Sequence, residues 1–170
     1  LKLAHRATGR TKFVSTQKSF HGRTLGALSI IGQDKHRAPY QRILNEGCFV
    51  PFGDLDAAAL AIDENTAAFV VEPVQGEGGV NPAPPGYLAG LRELTRRQGA
   101  LLVLDEIQTG IGRTGKWLAL EWDDVVPDVI TLGKGLGGGF PVAAFLCTED
   151  GAHTVALRDH GGTCAGNPLA

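Results

Sequence analysis

The protein is a chain of 170 residues, 43% hydrophobic and 20% charged, with a formal net charge of −2. That balance suits one globular domain with its own core and excludes a disordered chain; the slight acidity excludes the basic footprint of a nucleic-acid binder. No apolar run approaches the ~18 residues of a membrane span, and residues 1–6 lack the apolar stretch of a signal peptide.

In chain order, residues 1–8 read as the end of a helix stopped by Gly9. Residues 12–16 read as a short strand. A polar turn then leads to a helix starting near Thr24, with Leu25, Leu28, Ile30 and Ile31 as its apolar positions. Residues 32–48 read as irregular and residues 49–52 as a small strand. Asp54 is placed to cap a helix over residues 55–62. Residues 67–71 form a continuous apolar run of strand length that ends at Glu72-Pro73. The Gly- and Pro-rich residues 75–85 read as a loop. Pro85 suits the first turn of a helix carrying Tyr87, Leu88, Leu91 and Leu94 on one face, with Gly99 as its stop.

A second buried strand, residues 100–104, ends at Asp105-Glu106. A short aromatic helix around residues 117–122 precedes a third strand, residues 129–132, which ends at Gly133-Lys134. Strands alternating with helices imply an α/β fold: a mainly parallel sheet with helices on both faces. The link to the next strand, residues 142–147, is too short for a parallel return, so that strand is expected to run antiparallel.

Cys48, Cys147 and Cys164 share no disulfide or metal-ligand spacing. Reduced thiols and a cytoplasmic location are therefore expected, and a catalytic metal is not. The sequence contains no methionine and closes on Gly166-Asn167-Pro168-Leu169-Ala170, inside a motif. We expect an internal piece of a longer protein.

Ligands of open parallel sheets sit beyond the C-terminal strand ends. Glu72, Asp105 and Lys134 each stand at such an end, and each is followed by a glycine-rich stretch. A lysine held among small residues can act as a nucleophile toward an aldehyde. A carboxylate nearby can keep a ring nitrogen protonated. An aldehyde cofactor with a ring nitrogen is pyridoxal 5'-phosphate, whose ring then serves as an electron sink. A solvated surface lysine and a capping aspartate are the bland alternatives. A nucleotide-binding phosphate loop fails on detail, because Gly135 follows Lys134 where Ser or Thr is required.

Five segments occur in one order: Phe20-His21-Gly22-Arg23-Thr24, residues 72–79 (EPVQGEGG), residues 104–115 (LDEIQTGIGRTG), residues 132–139 (LGKGLGGG) and residues 160–163 (HGGT). Together they resemble the class-III (ornithine-type) pyridoxal-phosphate aminotransferases of fold type I, over essentially the whole chain. The most specific element is Asp-Glu-Ile-Gln-Thr-Gly with a lysine 29 positions after its aspartate.

The resemblance implies that residues 1–170 are part of the large, cofactor-binding domain. The family's main phosphate-binding segment would lie upstream, and its small domain, with a carboxylate-binding arginine, downstream. It also implies that Lys134 condenses with the cofactor aldehyde and later moves the proton, that Asp105 pairs with the pyridine nitrogen, and that Gln108 bonds the phenolic oxygen. Ile107 and Phe20 would cover the two ring faces. Thr163 would reach the phosphate of a neighbouring subunit in a homodimer. Arg23 would receive the substrate, and Glu77 would meet the substrate-binding arginine. Gly162 stands where the family usually has Ser or Thr, and Cys164-Ala165 where an aromatic and a glycine are usual; both departures bear on substrate fit. His21, His160 and Arg113 read as site-wall or structural residues, Glu72 as structural, and Glu106 as either structural or substrate-side.

The implied activity transfers the δ-amino group of N-acetylornithine to 2-oxoglutarate, in arginine biosynthesis. Ornithine, 4-aminobutyrate, succinylornithine and a carrier-linked lysine precursor are alternative donors, and a non-catalytic interaction domain is the remote alternative.

Overall fold

The structure, a computed structural model, describes residues 1–157, 159–161 and 168. Its elements in chain order begin with α1 (Lys2–Thr8), β1 (Lys12–Thr16), α2 (Leu25–Ser29), α3 (Asp34–Arg37) and a 3-10 turn (Ala38–Ile43). They continue with β2 (Cys48–Val50), α4 (Leu55–Ala61), β3 (Thr66–Val71), the hairpin strands β4 (Val74–Gln75) and β5 (Asn81–Pro82), and α5 (Tyr87–Gln98). Last come β6 (Leu101–Asp105), a 3-10 turn (Ala119–Trp122), β7 (Val129–Leu132), a 3-10 turn (Lys134–Gly137), β8 (Ala144–Cys147) and α6 (Glu149–His153).

Six strands form one sheet in the order β2-β1-β3-β6-β7-β8. Every neighbouring pair is parallel except β7 with β8, which is antiparallel as the short link requires. The period-2 alternation of the strands divides the core. Phe69, Val71, Leu102 and Leu104 pack against α4 and α5 on one face, with Leu88 and Leu91 of α5 fully buried. Ala68, Val70, Val103 and Val129 pack with Leu3 and Ala4 of α1 on the other. Helices thus cover both faces.

Local signals account for several boundaries. Asp54 caps α4, its Oδ1 accepting from Ala57 N at 2.8 Å. Gly99 ends α5 at φ 63°, a left-handed conformation that glycine adopts without penalty. Asp128, just ahead of β7, accepts from Leu102 N at 2.7 Å and pairs with Arg92 of α5, so helix, sheet and the start of β7 are bolted together.

Four expectations are corrected. Residues 32–48 are not irregular throughout. A helical turn forms at Asp34, a 3-10 turn follows with Pro39 in its first positions, and Arg37 is buried with its guanidinium 4.4 Å from the Phe49 ring centroid. The segment lacks an apolar period, so its packing was invisible. The small strand ends at Val50, because β2 follows β1 only over Cys48 to Val50. Residues 75–85 are not all loop: β4 and β5 pair, and buried Gln75 ties the hairpin to β1. Its amide donates to Thr16 Oγ1 at 3.1 Å and to Gln17 O at 2.7 Å, and accepts from Asn81 at 3.2 Å. Finally, Pro85 lies outside α5, because Gly86 (φ 79°) occupies the cap.

Candidate active site

β3, β6 and β7 lie side by side and parallel, so their C-terminal ends reach one edge of the sheet. Glu72, Asp105 and Lys134 meet there. They line a cavity of about 90 Å³ together with Phe20, His21, Gly22, Glu77, Ile107 and Gln108. Of the residues the sequence singled out, Phe20, Glu77, Asp105, Ile107, Gln108 and Lys134 are therefore brought together. Arg23 is not; it is exposed, its guanidinium 6.0 Å from the Phe20 ring centroid. Arg113 is exposed and away from the cavity. Thr163 and Gly162 lie outside the described residues.

Asp105 is buried and held on three sides. Its Oδ1 accepts from Ile107 N at 3.1 Å and from the hydroxyl of Thr131, its register partner on β7, at 3.1 Å. Its Oδ2 lies 2.7 Å from His21 Nδ1. An ionised carboxylate offers about four lone-pair sites; three are used by the protein, leaving one for a ligand. Lys134 contrasts with it. It is exposed, sits at φ 43° on a 3-10 turn, and its ammonium donates to Gln108 Oε1. A left-handed φ in a long side chain is strained, and such outliers gather at functional sites.

Glu72 accepts from Phe20 N at 3.0 Å and from Gly76 N at 3.2 Å, beneath the cavity. Burial pushes its carboxyl pKa up, opposed by nearby His21 and by the two amides. Glu106 points elsewhere. Fully buried, it accepts from the Thr109 hydroxyl, from Ala119 N at 3.0 Å and from Leu120 N at 2.8 Å, tying the segment after β6 to its far end. That settles a residue the sequence left open: its contacts are structural. The residue the sequence undervalued is His21, whose side chain is 3% exposed and directly on Asp105. The two are 84 positions apart, so only the expectation that β1 and β6 share an edge could have joined them.

The donor set fits pyridoxal phosphate. An amine for the aldehyde, a carboxylate with a free lone pair for the ring nitrogen, an amide and two apolar side chains share one cavity. Lys134 is the only lysine or arginine among its described lining residues, which gives the phosphate no cradle of its own here. Among the described residues no group of three or more His, Cys, Asp or Glu could hold a metal, and no helix is long and apolar enough to cross a membrane.

The profile of the family described as aminotransferase class-III matches residues 1–170. The chain belongs to the class-III aminotransferases. Their cofactor is pyridoxal 5'-phosphate, as the strand-end lysine and aspartate led us to expect. Acetylornithine aminotransferase of Mycobacterium leprae is 51% identical over 164 residues, 96% of this chain and 41% of that protein. Acetylornithine aminotransferase of Methanopyrus kandleri is 50% identical over the full chain and 44% of its own length. Ornithine aminotransferase 1 of Staphylococcus aureus is 47% identical over 163 residues. The solved ornithine aminotransferase of Toxoplasma gondii superposes with a TM-score of 0.93 at 36% identity, covering 99% of this chain and 42% of that one. A second structure of that enzyme carries the cofactor at partial occupancy in its active site. This class-III chain thus spans less than half the length of the relatives it matches.

Proposed function

We propose that this chain is the cofactor-binding part of an aminotransferase that moves the δ-amino group of N-acetylornithine to 2-oxoglutarate, in arginine biosynthesis. The observation that carries the reading is that Asp105 and Lys134 share one small cavity at the sheet edge. Two acetylornithine aminotransferases at about 50% identity support the choice of donor.

When bound, pyridoxal phosphate supplies an aldehyde for covalent attachment and a ring that accepts electrons. Lys134 Nζ would be its attachment point and, when free, the base that carries a proton across the cavity. Asp105 would hold the ring nitrogen through its remaining lone pair, and Gln108 the ring's phenolic oxygen. Ile107 and Phe20 would fix the ring plane. Glu77, on the exposed turn of the hairpin, and Arg23, outside the cavity, would face the substrate. A homodimer with Thr163 reaching the neighbouring site, and Gly162 beside the substrate, completes the proposal.

The test uses the full-length protein. Added pyridoxal phosphate is expected to give a visible absorption band, and borohydride is expected to fix the cofactor on Lys134. Lys134→Ala should lose both completely; an unchanged label would overturn the assignment. A donor panel should then favour N-acetylornithine, and faster turnover of free ornithine would move the assignment to that donor.

A further inference from the structure

Resting on the proposed cofactor site, we infer that Ser15 is a positioning residue: with Ser19 and Gly32 it sets the proton on His21 that faces Asp105. Ser15 and Ser19 are fully buried hydroxyls that the site chemistry leaves unused. They stand in an unbroken line. Gly32 N donates to Ser19 Oγ at 3.0 Å, Ser19 Oγ lies 3.0 Å from Ser15 Oγ, and Ser15 Oγ lies 3.1 Å from His21 Nε2. His21 Nδ1 then lies 2.7 Å from Asp105 Oδ2.

For a neutral imidazole the carboxylate end of this line fixes its direction. An ionised carboxylate can only accept, so the one ring proton sits on Nδ1 and Nε2 is left an acceptor, while the backbone amide at the other end can only donate. Gly32 N–H therefore donates to Ser19, Ser19 O–H to Ser15, Ser15 O–H to His21 Nε2, and His21 Nδ1–H to Asp105. Each hydrogen is used once and each acceptor is served. Ser19 has one competing acceptor, Ile30 O, but at 3.5 Å that bond is the weaker one. The tautomer of a histidine follows from the bond its other nitrogen makes; here that bond is the one from Ser15. The line is closely built: a Cβ on residue 32 would lie 2.0 Å from Thr16 O, so only glycine brings its amide this close. The consequence reaches the cavity. With a donor fixed behind it, Asp105 stays an acceptor and presents its remaining lone pair to a ring nitrogen.

Nitrogen-15 NMR of the imidazoles in the full-length protein, without and with pyridoxal phosphate, tests this. Wild type is expected to show His21 protonated at Nδ1 and bare at Nε2 in both forms. Ser15→Ala is expected to lose that tautomer preference and to weaken cofactor binding roughly fivefold, the size of one neutral hydrogen bond. Ser15→Thr, which keeps the hydroxyl, should restore both. A wild-type His21 protonated at Nε2, or a Ser15→Ala protein with an unchanged tautomer, overturns the inference. Absence of any cofactor band in wild type would instead overturn the proposed function, and the cofactor-free spectrum would still decide the tautomer. If Ser15→Ala fails to fold, the tautomer of wild type and of Ser15→Thr decides it alone.

Discussion

The two reactive ends of the cavity are built on opposite terms. Asp105 is buried at the end of a sheet strand and meets Ile107 N, Thr131 and His21. Lys134, two residues past the end of the neighbouring strand, is exposed on a glycine-rich 3-10 turn with one side-chain partner, Gln108. The difference suits the roles proposed for each. A group that holds one charge in one direction gains from fixed dipoles around it, whereas an amine proposed to swing and change its proton count would be served by a loose tether.

The comparison breaks first at Asp105. Asn at this position keeps the shape and removes the charge. Activity of the full-length protein with the cofactor should fall about 10²-fold, in the range for loss of a preorganised electrostatic contact; steady-state rates with saturating donor measure it. Next comes Glu106, equally buried but tied to the chain rather than to the cavity. Glu106→Ala leaves Thr109, Ala119 N and Leu120 N without their acceptor, and urea unfolding should show a loss of about 3 kcal/mol.

The loose side gives a smaller and opposite effect. The left-handed backbone at Lys134 costs a side chain about 1 kcal/mol that glycine avoids. Lys134→Gly should therefore be more stable than Lys134→Ala by about that amount, read from their unfolding midpoints. The smallest effect is a slope at Glu72. Burial raises its folded pKa above the value of the unfolded chain, so the folded state binds more protons. The associated stability is full below about pH 4.5 and declines as pH rises through the folded value. Glu72→Gln should remove that decline, seen as a wild-type-minus-variant stability difference that shrinks from pH 4 toward pH 7.

Sequence was sufficient where the physics is local or periodic. The apolar runs of β3, β6 and β7, the cap at Asp54 and the stop at Gly99 could be read directly, and with them the edge where Glu72, Asp105 and Lys134 gather. It was insufficient where polar groups meet across distant segments. Nothing in residues 32–48 announces that Arg37 stacks on Phe49, and nothing beside Gln75 announces its bonds to Thr16 and Gln17. His21 needed both a strand order and a side-chain direction before it could be joined to Asp105. Burial of Glu106 was equally hidden, because its partners Ala119 and Leu120 lie beyond a glycine-rich turn.

The clamp at Asp128 has a consequence for the amine. β7 is four residues long and starts directly after Asp128, which is locked to α5 and β6. A strand advances about 3.3 Å per residue and alternates its side chains, so the clamp acts as a datum from which the height and facing of Lys134 are measured off. Inserting a single residue between positions 131 and 134 would carry that side chain a step further from the clamp while leaving Thr131 on Asp105.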